Sequence, residues 1–293
     1  MQVHGSITES ARRQTEADPC NWEVTYRQMV LYDLASDMEL GFFLAYYRNF
    51  AIPSIAATLH QNGEIIERPM KRSYDTAIVT YELITSGMNS DRGRHMIRLL
   101  NNNHRHVPGS QDDFLYVLLT LLVVPIRWAR AHAWRAPAPA EETAATRFYQ
   151  ELGARMNIAG TPQHSKTRNG SSIATSETTS PTPRRCTTDG QHSPSLEIQA
   201  TWAREAIDQT NALRHVRRRP PHRCPRPPRA TQLSKTILNA VLTTRSAIHR
   251  RRPLSTEPHF VPGQAGSSLY PNGYRLDDIG PENVMSPADR PDH

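Results

Sequence analysis

The stretch KRSYDTAIVTYELITSGMNSDRGRHMIRLLNNNHRHVPGSQDDFLYVLLTLLVVPIRWARAH, residues 71–132, decides the fold class. Its apolar residues recur at intervals of three and four and do not alternate, the pattern of helices that pack through one face. Arg72 to Ser86 reads as one helix stopped by Gly87, a residue suited to the turn that closes a helix. Asn89 or Ser90 can cap the next, which runs to about His106. Pro108-Gly109 breaks the chain. Ser110, followed three residues later by Asp113, then resembles a capping box and opens an apolar helix reaching about Ala131.

The same period continues on both sides. Val30, Leu34, Met38, Phe42 and Ala45 predict one long amphipathic helix from Trp22 to Asn49, ended or kinked near Pro53. Ala140 to Met156 forms another, and Glu141 and Glu142 suit its electropositive first turn. Leu233, Ile237, Val241 and Ile248 predict one more after Ala230. No strand alternation or fixed repeat is visible, so the expected class is all-α.

Composition divides the chain into 1–160, 161–229 and 230–293. Residues 161–230 hold seven residues from the set Ile, Leu, Val and Trp against nine prolines, too little apolar side chain to offset the entropy of ordering them. That segment also carries 12 Lys and Arg against 5 Asp and Glu, so the net charge of +7 is local to it. Elsewhere the two signs balance at 23 each, which removes the reason to read a basic, nucleic-acid-binding face. Cys20, Cys186 and Cys224 form no CxxC or metal-ligand pattern, which fits a reducing compartment. The polar N-terminus lacks the apolar stretch of a signal peptide. The longest apolar run, Phe114 to Ile126, spans 13 residues, short of the roughly 18 to 20 that cross a bilayer. The expectation is a cytoplasmic protein without a transmembrane helix, with peripheral membrane contact as an option and no obligate protein partner.

Two residues are out of place for a plain bundle. Arg72 and Thr76 share a stripe with Val79 and Leu83, and a buried guanidinium needs an anion. On the next helix His104 shares a face with Met96 and Leu100, whereas His106 points roughly 160° away and His95 reads as a solvent-side residue. Spacing alone favours Arg72 pairing with Asp75 or ending the helix in water, and His104 as a hydrogen-bonded core residue. Without Glu-x-x-His or His-x-x-x-His spacing, zinc and di-iron carboxylate sites are disfavoured. A haem would need one axial histidine and a cation for its propionates.

Five blocks taken together narrow this. KRSYDTAIVTYEL (71–83), RHMIRLLNNNHRHV (94–107), DDFLYVLLTLLVVPIRWARAHAWR (112–135), FYQELGARMNI (148–158) and SLYPNGYRLDDIGP (268–281) resemble, in order, the MpaB-type and rubber (latex-clearing) oxygenases. The shared elements are an Arg-x-x-x-Thr, a Leu-Asn-x-x-His type of segment, a Pro-Ile-Arg-Trp element, a Gly-x-x-Met-x-Ile and a Tyr-Pro-x-Gly-Tyr tail. The resemblance implies a globin-like helical core holding haem b. It makes His104 the iron ligand and places Arg72 and Thr76 in the haem pocket as binding and catalytic residues. It further implies O2-dependent cleavage of carbon–carbon double bonds in a lipophilic, isoprenoid-like substrate.

The chain departs from the pattern twice. Rubber oxygenases carry a lysine before the threonine, where this chain has Asp75, so polyisoprene is not the expected substrate. The family also expects helical sequence with a Tyr-Glu and a His-Phe pair after Ile158, and 163–229 shows nothing of the kind, as a shifted reading frame in a GC-rich gene would produce. The competing functions are a degenerate, inactive homologue and a nucleic-acid or acidic-surface binder using Arg-rich 214–229. The latter lacks aromatic residues among its basic ones.

Overall fold

The computed structural model describes residues 21–61, 63–105, 107–161, 232–252, 254–264 and 269–280. These form helices α1 (Trp22–Gln28), α2 (Ala35–Asn49), α3 (Pro53–Gln61), α4 (Glu64–Glu67), α5 (Pro69–Ser86), α6 (Asp91–His104), α7 (Gln111–His132), α8 (Pro139–Arg155) and α9 (Gln232–Arg251). A short tail with a 3₁₀ turn at Leu276–Asp278 follows, and no strand occurs among the described residues. The class is all-α. The segment expected to lack structure, and with it the reading-frame hypothesis, lies outside the described residues beyond Thr161.

Local chemistry sets the helix ends. Ser90 Oγ accepts from Gly93 N at 2.9 Å at the start of α6. At α7 the capping box is complete, with Asp113 N donating to Ser110 Oγ at 3.1 Å and Ser110 N to Asp113 Oδ2 at 3.3 Å. Gly87, at φ 75°, closes α5 in a conformation costly for any side chain. Glu141, in the first turn of α8, accepts from Ala138 N at 2.7 Å.

The single helix expected over Trp22 to Asn49 is divided. A π turn, Met29–Asp33, ends where Leu34 N bonds back to Met29 O at 2.9 Å, and Leu34 leaves the helical region at φ −123°. The packing explains it: Met29, Val30 and Leu31 are all fully buried, and three consecutive residues cannot share one face of a regular α-helix. The widened turn also sends Asp33 inward, where its carboxylate meets Arg135 at 2.9 Å and its carbonyl accepts from Trp134 Nε1 at 2.9 Å.

The core forms where α2 lies along α7 and α1 along α8, through Tyr26, Phe148 and Tyr149 with ring centroids 4.9 and 5.2 Å apart in sequence. At the α2–α7 crossing Gly41 faces Pro125, and a Cβ on Gly41 would lie 2.4 Å from Pro125 Cα. Gly41→Ala must push the helices apart and is expected to cost about 1–3 kcal/mol. A urea denaturation midpoint unchanged from the parent would show that the helices have room to spare.

α7 extends the apolar run at both ends, to 22 residues, and by length and composition it is long and apolar enough to cross a membrane. In the fold it buries Leu118, Leu119, Leu122, Ile126 and Ala129. The expected C-terminal helix forms as α9, attached through Arg245 to Asp37 (2.5 Å) and Ser246 Oγ to Ala133 O (3.1 Å). Its Ile237, Val241 and Ile248 stay exposed, so this part of the apolar face does not enter the described core.

Candidate functional site

Helix α5 carries three sets of side chains at different angles around its axis. Arg72 and Thr76 form the first, Asp75 and Glu82 the second, and Tyr74, Ala77 and Tyr81 the third, roughly opposite the first at about 100° per residue.

On the first face, the Arg72 guanidinium donates to Thr76 Oγ1, and that hydroxyl donates to Arg72 O at 2.8 Å. Both side chains are half-buried. Asp75 is not the partner of Arg72: it is buried and engaged by Lys71 Nζ at 2.6 Å. Among the described residues no carboxylate pairs with Arg72.

His104 ends α6 within reach of the Arg72 charge. Its Nδ1 lies 2.7 Å from Leu100 O, and a carbonyl can only accept, so Nδ1 carries the proton. The lone pair is therefore on Nε2. Burial lowers the pKa of His104 and Arg72 adds to this, while the bond to Leu100 O opposes it, so the ring is neutral at neutral pH. Phe114 of α7 meets the ring edge-on, centroids 5.6 Å apart. His95, on another face, sits 3.4 Å from Asp277, and His106 lies outside the described residues.

On the second face, two carboxylates seven residues apart hold the tail. Tyr270 donates to Asp75 Oδ1 at 2.7 Å and Gly280 N to Asp75 Oδ2 at 3.0 Å, while Lys71 donates to Asp278 O and Gly280 O at 3.1 and 3.0 Å. Glu82, fully buried, takes Arg92 through both oxygens at 2.6 and 3.1 Å and the Tyr274 hydroxyl as well. Reading the sequence by helix stripes singled out Arg72 and Thr76 but gave Asp75 and Glu82 no such role, although both stand in the quoted block.

The model of the family described as "ER-bound oxygenase mpaB/B'/Rubber oxygenase, catalytic domain" matches residues 32–238. The chain belongs to this family. Among curated proteins, this MpaB/rubber-oxygenase chain is similar to ER-bound oxygenase mpaB of Penicillium roqueforti (strain FM164), 28% identical over 121 residues covering 39% of this chain and 41% of that protein. It is similarly 28% identical to mpaB and mpaB' of Penicillium brevicompactum, over 39% of this chain and 31% and 29% of theirs. The chain thus matches about two fifths or less of the length of these relatives. No solved structure matches it. Within the family blocks, Arg72 and Thr76 are hydrogen-bonded to each other, and the Arg72 charge acts on His104. Asp75, at the position where rubber oxygenases have a lysine, is taken up by the tail.

Proposed function

We propose that this oxygenase-family chain binds haem b through His104 and Arg72 and acts with O2 on a lipophilic, isoprenoid-like substrate. The observation that carries the reading is the pairing of a neutral histidine, oriented by Leu100 O with Nε2 available, and a guanidinium that lacks a carboxylate partner among the described residues. That donor set fits a haem: Nε2 suits the iron and Arg72 suits a propionate.

Bound there, the haem would supply the redox centre for O2-dependent cleavage of a carbon–carbon double bond. The chain's part is to hold and orient. Leu100 O fixes the His104 tautomer and ring direction, as an outer hydrogen bond does for a metal-ligating histidine. Thr76 holds the Arg72 guanidinium against its own helix, and Phe114 shields the imidazole from water. Contact with a membrane surface is part of the proposal. It is supported by the ER-bound character of its Penicillium relatives and by exposed Phe43, Leu44 and Tyr47 on α2, where the Phe43 and Tyr47 rings lie 4.5 Å apart.

Titrating the full chain with haemin tests the reading: one equivalent should produce a sharpened Soret band. No band at any haemin ratio would refute it. The pH dependence follows from His104. Burial favours its neutral form, so its folded pKa lies below the ordinary value near 6.5. Haem retention should be complete above that value and fall away as pH drops through the lowered pKa, because protonation removes the Nε2 lone pair. Retention that instead declines toward alkaline pH would contradict this ligand.

A further inference from the structure

We infer that the chain has a second ligand site, a cavity on the side of α5 opposite Arg72 and Thr76 that takes an uncharged, planar aromatic molecule bearing a hydroxyl or carbonyl. The cavity is about 560 Å³, within the range of small-molecule sites. One wall is α5, where Tyr74, Ala77 and Ile78 line it, and Glu39 of α2 lines another side. Tyr81 of α5 adds to that wall, and the tail supplies the rest through His259–Val261, Gly263, Gln264 and Pro271–Gly273.

The floor is held open by the backbone. Gly263 (φ 78°) and Gly273 (φ 86°) turn the tail twice, and Tyr274 N bonds to Gly263 O at 3.2 Å to join the turns. A Cβ on Gly273 would lie 2.3 Å from Gly263 O, so the two turns touch main chain to main chain. The first turn is also tied to the bundle, through His259 N to Leu31 O at 2.8 Å.

The lining specifies the ligand class. Tyr81 and Phe260 stack with centroids 5.2 Å apart and planes 20° from parallel, and with Tyr74 they give aromatic surface for a flat apolar body. The charged groups on the lining face each other: His259 Nε2 lies 3.3 Å from Glu39 Oε2, and the hydrogen bond to this carboxylate raises the His259 pKa, so the two charges offset where the ring is protonated. A net charge on the ligand would meet no unpaired opposite charge there, whereas Gln264 and Asn272 bring amide donors and acceptors for a neutral head. This site is independent of the haem reading, since it lies on a different face of α5 and uses none of the same side chains.

The probe is 2-naphthol, titrated calorimetrically into the full chain without added haem, beside naphthalene-2-sulfonate as its charged counterpart. One saturable site with Kd on the order of 0.1–1 mM is expected for the naphthol, and about tenfold weaker binding for the sulfonate. Ala77→Phe fills the cavity from an exposed helical position without removing any core side chain, and Ala77→Leu does so more mildly. Each should weaken naphthol binding, the phenylalanine by at least about tenfold, while helical circular dichroism is retained. No saturable naphthol binding, or parental affinity in the Ala77 variants, overturns the site. Equal binding of the sulfonate overturns the neutral ligand class.

Discussion

His104→Ala is expected to abolish the Soret band of the haem-loaded chain and, with it, oxygenase turnover. Among the described residues, His104 is the imidazole near the Arg72 charge whose Nε2 lone pair is set by a main-chain acceptor. On the haem reading, removing the His104 imidazole would take away the side chain that holds the iron and would leave a space at the α6–α7 contact where Phe114 rests on the ring. His95→Ala should keep the band, since His95 faces Asp277 on another side of α6. Arg72→Ala should retain haem more weakly than the parent, because a propionate partner is lost while the metal bond stays. The spectroscopic readout separates these roles from simple destabilisation, which would move the melting temperature without choosing between the two histidines. Loss of the band in His95→Ala with retention in His104→Ala would reverse the ligand assignment.

Glu82→Gln is expected to loosen the tail and to cost about 3 kcal/mol, the lower end of the range for breaking a buried ion pair. Glu82 is completely buried; its Oε1 accepts from both Arg92 Nη2 and Tyr274 and its Oε2 from Arg92 Nε, so the amide loses the negative charge and turns an NH2 group toward one set of these donors. The lower figure is chosen because Arg92 is 41% exposed and can turn its charge to water. Tyr274→Phe should cost about 1 kcal/mol, since Glu82 then keeps its guanidinium. Amide exchange at Tyr274 N, which bonds to Gly263 O, reports the tail separately from global unfolding. If Glu82→Gln leaves both the denaturation midpoint and that exchange rate unchanged, the carboxylate does not hold the tail.

Much of the fold was legible because helix ends are decided by neighbouring residues. Ser90, Ser110 with Asp113, and Gly87 each act within four positions, and each does what its sequence context indicates. The π turn at Met29–Asp33 was not legible, since a stripe drawn through Val30, Leu34 and Met38 cannot show that Met29 and Leu31 are also buried. Pro53 reads as a helix terminator but stands at the first position of α3, where a missing N–H costs nothing. The inward direction of His104 was legible from its place on the Met96–Leu100 face. The fate of Arg72 was not, because Asp75, the partner its spacing offers, is claimed by tail residues about 200 positions away. The same distance hid the second role of α5, as a wall for the cavity and an anchor for the tail.

The way the tail is held has a consequence for synthesis of the protein on the ribosome. Asp75 and Glu82 emerge early, yet Tyr270, Tyr274 and Gly280 are made some 190 to 205 residues later. Until then the two carboxylates lack their tail partners, and the aromatic surface of Tyr74 and Tyr81 that Tyr270 and Phe260 later cover is open to water or to a chaperone. Closing so long a loop carries an entropic cost that local helix formation does not. Completion of α5 packing is therefore a late event, and a ribosome stalled before residue 270 would display a helix bundle whose acidic and aromatic stripe marks it as unfinished.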